Sequence, residues 1–118
     1  MGLRRGLLAI GRRTGAWRLP AAWHGPRRLT VLAYHRIVDS EAAGFRGYVG
    51  NASAAPDEFS AQIDWVTRYF TPVTLADVAA AVEGAPLPHR PLLVTFDDGY
   101  RDNLLAGLPV LEHHGVGA

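Results

Sequence analysis

Two adjacent carboxylates, Asp97 and Asp98, stand where an apolar run gives out: Leu92-Leu93-Val94-Thr95-Phe96 leads directly into Asp97-Asp98-Gly99-Tyr100. Two like charges this close both stay ionised in a low-dielectric cleft only if a cation or hydrogen bonds offset them. A divalent metal is the simplest such cation. One acid then binds it while the other takes a proton from metal-bound water. The plainer reading of Asp-Asp-Gly is an ordinary turn in which Asp caps a helix or bonds its own backbone. A third candidate is His35, which follows Leu32-Ala33-Tyr34. An imidazole has an unperturbed pKa close to neutral and so suits proton transfer at the end of a strand. The alternative is a histidine satisfied by a backbone carbonyl.

These side chains need elements to hold them. Leu92 to Phe96 is short, apolar, partly β-branched and preceded by Pro91, which predicts a buried strand of a mixed α/β sheet. Ligands of such sheets collect at the carboxyl ends of strands. Neighbouring residues on a strand point to opposite faces, so Asp97 and Asp98 address one site only if the chain bends there. Gly99 supplies that freedom. Thr30 to Tyr34 reads as the first strand, and residues 36–55, with Gly44, Gly47 and Gly50, as a long loop. Within it Phe45 and Tyr48 suit either stacking on a sugar ring or pinning the loop to the body.

Downstream, Phe59, Ile63, Val66 and Phe70 recur at helical spacing and predict a core-facing helix over residues 56–70. Thr74 with Asp77 predicts a capping box, opening a short helix with Leu75, Val78 and Val82 as its buried face and Gly84 as its stop. Asp102 or Asn103 is placed to cap a last helix whose apolar residues are Leu104, Leu105, Leu108 and Leu111, with Pro109 breaking or kinking it. Val116-Gly117-Ala118 reads as the approach to a further strand.

Thr95-Phe96-Asp97-Asp98-Gly99-Tyr100 resembles the first signature of the polysaccharide deacetylases, the NodB-homology or fourth carbohydrate esterase family. Tyr34-His35-Arg36, Phe59-Ser60-Ala61-Gln62-Ile63 and the stretch from Asn103 to Gly115 extend the resemblance from about Leu29 to the last residue. The Tyr-His strand is similar to the subgroup of poly-N-acetylglucosamine deacetylases. The resemblance implies a hydrolase in which Asp97 is the general base, Asp98 a metal ligand and His35 the acid that protonates the leaving amine. It implies zinc or a similar divalent metal, an N-acetylated amino-sugar polysaccharide as substrate, and action at the cell envelope. It also implies a second signature, a pair of histidines tens of residues beyond the acids. A catalytic metal of this kind takes three protein ligands, and the matched pattern offers Asp98 alone. His113 and His114 sit before Gly115 at a predicted helix C-terminus, where imidazoles meet the helix dipole; His24 and His89 lie in loop-like sequence.

The fold expected is therefore α/β: the amino-terminal portion of a distorted (β/α) barrel, left incomplete, since a whole barrel is roughly twice as long as these 118 residues. Such a piece, on its own, is expected to be marginally folded or to aggregate, and to catalyse nothing. The alternatives are a non-catalytic carbohydrate-binding remnant and, more remotely, magnesium-dependent phosphoryl transfer. The latter lacks a glycine-rich phosphate loop and, for a receiver domain, a lysine.

Charge divides the chain at residue 28. Residues 1–28 carry seven arginines and no acid, a charge of +7, whereas residues 29–118 carry five arginines and eleven acids, a charge of −6. The first segment has an apolar run of only four residues, Leu7 to Ile10, too short for a signal peptide or a membrane span. Trp17 and Trp23 among its arginines suit weak contact with an anionic membrane surface, but a disordered arm or an early start codon is the simpler expectation. No nucleic-acid partner is expected. Asn51-Ala52-Ser53 matches a glycosylation acceptor. Cysteine is absent, which excludes disulfide and thiol chemistry.

Overall fold

The computed structural model describes residues 28–118, so the basic arm, with Trp17, Trp23 and His24, lies outside the described residues. In chain order the elements are β1 (Thr30–Tyr34), β2 (Arg36–Ile37), a 3-10 turn (Val49–Asn51), β3 (Ala52–Ala54), α1 (Pro56–Tyr69), β4 (Thr71–Pro72), α2 (Leu75–Val82), β5 (Pro91–Phe96), a π-helical stretch (Asn103–Gly107) and α3 (Leu108–His114). β1, β5 and β4 form a parallel sheet in that spatial order, and β2 pairs in parallel with β3. Strands alternate with helices, as the sequence predicts.

β5 is central because every residue from Pro91 to Val94 is buried, the pattern of a strand covered on both faces. Leu92 and Val94 share one of those faces and pack with Phe59, Ile63 and Val66 of α1. All five are at most 1% exposed. The three helix residues each contribute roughly 1.5–3 kcal/mol relative to the same side chain in water. Pro56 begins α1 where its missing N–H costs nothing, and Glu58 Oε2 accepts the Ala55 N–H at 3.0 Å to finish the turn. The helix positions the site by bearing on β5 from below its acid-bearing end: Tyr34, the last residue of β1, meets Phe59 edge-on at 4.9 Å.

Several expectations need correction. Residues 36–55 are not one loop: β2, β3 and the 3-10 turn lie within them, and Val38 N–H donates to Ala54 O at 2.9 Å. Strands of two and three residues are too short to carry a hydrophobic period. The capping box of α2 is present, with Asp77 N–H donating to Thr74 Oγ1 and Thr74 N–H to Asp77 Oδ2. Its supposed buried face is not buried, since Leu75 is 70% and Val82 80% exposed and no described element packs over them. Neither Asp102 nor Asn103 caps the last helix by its side chain; Asp102 is drawn across to β2 instead. Of the leucines of that helix only Leu111 is buried, while Leu104, Leu105 and Leu108 are exposed. Gly107 takes their place at the core, close enough to Phe96 that an added Cβ would sit 3.3 Å from its ring. Pro109 does not break the helix. The irregularity falls in the π-helical turn before it, which widens the hydrogen-bond ladder where the proline has no N–H to give.

Candidate active site

The parallel register of β1 and β5 sets Tyr34 opposite Phe96, so the residues that follow each strand emerge side by side. Asp97 N–H extends the ladder by one bond, donating to Tyr34 O at 2.7 Å. The chain then turns sharply: Asp98 has φ 70° and Gly99 φ 60°, two left-handed residues in succession. Aspartate is one of the few residues with a Cβ that tolerates this region, and glycine enters it freely. This turn breaks strand alternation and swings Asp98 onto the same side as Asp97.

His35 faces both. Its Nε2 lies 3.7 Å from Asp97 Oδ2 and 3.8 Å from Asp98 Oδ2. These separations are too long for direct hydrogen bonds but within the reach of charge. The three side chains are between 42% and 57% exposed, so solvent reaches the cluster and screens it. The three residues singled out from the sequence are thus brought together in one place. His35 is fixed through its backbone, whose N–H donates to Ser53 Oγ at 2.8 Å.

Beneath the cluster Tyr34 is buried among Phe59 and Phe96, and its hydroxyl donates to Gln62 Oε1 at 2.7 Å. Burial pushes the phenol up to about 12, because the phenolate would lose its hydration there. Beside the cluster, Asp102 uses both oxygens. Oδ2 accepts from Arg36 Nε at 2.9 Å and Oδ1 from the Ile37 N–H at 2.8 Å. The same guanidinium donates to Arg46 O at 2.8 Å and lies 5.5 Å from the Phe45 ring and 5.2 Å from the Tyr100 ring. Asn51 Nδ2 donates to Tyr100 Oη at 2.9 Å, which accounts for Asn51 without invoking glycosylation.

Phe45 therefore pins the loop, while Tyr48 stays exposed. Sequence reasoning missed Arg36, Asn51, Ser53, Tyr100 and Asp102 as supports. Arg36 and Asp102 are 66 residues apart, and a pairing of that separation leaves no local periodicity to read.

The donor chemistry of an imidazole and two carboxylates suits a divalent transition metal in kind. In arrangement these side chains do not reach one, since among the described residues no group of three or more His, Cys, Asp or Glu side chains is placed to hold a metal ion. His113 and His114 meet edge-to-face at 5.0 Å at the end of α3, closed by Gly115 in the left-handed region, as their sequence position predicts. Among the described residues, no helix is long and apolar enough to cross a membrane.

No family model matches the chain. A poly-beta-1,6-N-acetyl-D-glucosamine N-deacetylase of Escherichia coli strain K12 is 31% identical over 84 residues, which is 70% of this chain and 12% of that protein. YxkH of Bacillus subtilis strain 168, a putative polysaccharide deacetylase, is 30% identical over 96 residues, 79% of this chain and 31% of its own length. Among solved structures, IcaB from Ammonifex degensii superposes with a TM-score of 0.63 at 26% identity, covering 78% of this chain and 36% of that one. The chain matches part of a polysaccharide deacetylase domain. The parallel strands described above correspond to a portion of a (β/α) barrel. The chain spans about a third or less of the length of each of these polysaccharide deacetylases.

Proposed function

We propose that this chain supplies the acid, base and first metal-ligand positions of a polysaccharide N-deacetylase, an enzyme that hydrolyses the N-acetyl amide of an amino-sugar polymer. The observation that carries the reading is the approach of His35 to Asp97 and Asp98 at the carboxyl ends of two adjacent parallel strands. A divalent metal, when bound at such a site, would polarise the amide carbonyl and lower the pKa of its bound water. The residues of the chain do the rest. Asp97 accepts the proton of the attacking water, and His35 delivers a proton to the departing amine so that it leaves neutral. Asp98 would contribute a single carboxylate to such a metal, which would need further ligands besides the described residues. The likeness to a poly-beta-1,6-N-acetyl-D-glucosamine N-deacetylase supports an N-acetylated amino-sugar polymer as the substrate class.

A chimera tests this reading. Residues 29–118 replace the matching part of IcaB, and amine release from a β-1,6-linked N-acetylglucosamine oligomer is followed. Turnover that falls by about 10²-fold or more on Asp97→Asn and on Asp98→Asn is expected. A folded chimera with no turnover, or one indifferent to both substitutions, refutes the assignment. The chain by itself is expected to release no amine. Glycan binding by the chain that survives Asp98→Asn in metal-free buffer marks the non-catalytic, carbohydrate-binding alternative.

A further inference from the structure

We propose that Ser53 is a positioning residue for His35, set in a bulge between β2 and β3 that aims the imidazole at Asp97 and Asp98. The part this plays in turnover rests on the deacetylase reading above, whereas the placement of the ring does not. His35 is the single residue between β1 and β2, the point at which the chain leaves one sheet for the other. β2 and β3 do not pair residue for residue. Arg36 lies opposite Ala52 and Ile37 opposite Ala54, so β3 advances two residues where β2 advances one. The residue passed over is Ser53. Its hydroxyl accepts the His35 N–H at 2.8 Å, and beyond it the pairing resumes with the Val38 N–H donating to Ala54 O at 2.9 Å. A bulge bends its strand and re-aims side chains, and here the extra residue reaches across to the one that carries the imidazole.

His35 needs such a fixture because its ring is not enclosed. The side chain is 42% exposed, and Nε2 stands 3.7 and 3.8 Å from the two acids, too far for hydrogen bonds to hold it. Its direction is therefore set from the backbone through the Cα–Cβ bond, with χ1 choosing among three staggered wells. The chain is anchored on both sides of that bond. Tyr34 O accepts the Asp97 N–H at 2.7 Å, and Asp102 Oδ1 accepts the Ile37 N–H at 2.8 Å. Ser53 holds the residue between these anchors. Asp102 serves the same stretch but also binds Arg36, so its loss loosens β2 as a whole. Ser53 is exposed and bonds His35 directly, which separates placement of the ring from stability of the fold. Misplacing a proton donor by about 1 Å lowers a rate by up to about 10²-fold.

The first measurement is made on the full chain: carbon-13 relaxation of the His35 imidazole by NMR, with the methyl groups of Ile63 and Val94 reporting on the core. Ser53→Ala is expected to loosen the imidazole while the methyls keep their order. Ser53→Thr, which restores the hydroxyl on a side chain suited to a strand, is expected to return the ring to its unmodified order. The second measurement is turnover of the chimera that carries residues 29–118. There Ser53→Ala is expected to lower kcat about tenfold with KM held within about twofold, and Ser53→Thr to recover kcat to within about twofold. A hydroxyl that served the fold alone would move the melting temperature and neither of these readouts. An imidazole equally ordered in Ser53→Ala and the unmodified chain overturns the proposal, as does a kcat that Ser53→Ala leaves unchanged or that Ser53→Thr fails to restore. An inactive unmodified chimera removes the catalytic reading instead, and loosening of the imidazole in Ser53→Ala then upholds the placement by itself.

Discussion

Tyr34 ties the chemistry to the core. It precedes His35, its carbonyl takes the Asp97 N–H, its ring fills the space between Phe59 and Phe96, and its hydroxyl reaches Gln62. Removing that hydroxyl by Tyr34→Phe leaves the packing and strands the Gln62 amide, so a loss of about 1 kcal/mol is expected in urea unfolding. Its ionisation adds a pH dependence with a definite sign. The folded phenol sits at about 12, above the ordinary value near 10, so its contribution is whole below pH 10 and is lost as pH rises through 12. Phenolate absorbance that appears near pH 10 for every tyrosine, with the fold intact, would contradict this. At this scale the convergence of Asp97, Asp98 and His35 could be anticipated from their places at strand ends, for His35 only with the resemblance of Tyr34-His35-Arg36 beside it. The supports could not, because Ser53, Asn51 and Asp102 act through contacts whose partners lie far along the chain.

Elements of the fold were read from the sequence in proportion to how much of their own pattern they carry. α1 shows a full apolar stripe and β5 an unbroken apolar run, and both stand where their residues place them. β2 and β3 have no such pattern and exist because β2 is anchored: Asp102 holds Ile37 N–H and Arg36 together. Both partners of that ion pair are largely buried, so Asp102→Ala, which leaves the guanidinium and an N–H unmatched, is expected to cost about 2–3 kcal/mol. Hydrogen exchange should then rise in β2 and β3 before β5; uniform protection would speak against the anchor. The capping box of α2 is a milder case. Hydrogen bonds from Thr74, the backbone N–H foremost, hold Asp77 below the usual carboxylate range. That support is present above the unfolded pKa and disappears as pH falls through the lower, folded one. Thr74→Ala is expected to lower stability near neutral pH, and by less in acid, as the carboxylate that its hydroxyl bonds becomes protonated. A cost that grows in acid would speak against this.

At the scale of the whole molecule, the described residues have a closely packed centre and exposed apolar margins. Among the described residues nothing pairs the outer edge of β1, and Leu104, Leu105 and Leu108 face water along one helix. Unpaired strand edges and apolar strips of this kind recruit other chains. Sedimentation of the full chain is expected to show association that grows with concentration and diminishes in Leu105→Lys. A soluble monomer with a sharp cooperative melt would argue otherwise. The α/β class and the kinship to polysaccharide deacetylases could be read in advance, because both reside in short contiguous segments. Which apolar side chains end up covered could not, because α2 and the last helix present leucines and valines to regions that no described element fills.

The left-handed turn at Asp98 sets a trade between durability and chemistry. A backbone at φ 70° favours glycine, and the chain places a carboxylate there instead. Asp98→Gly should therefore hold or raise the melting temperature while the acid disappears, whereas Asp98→Ala should lower stability by about 1 kcal/mol from strain alone. An alanine scan would thus confuse a bent backbone with a lost ligand. Asparagine, which tolerates the same angles, separates the loss of the charge from the strain of the backbone.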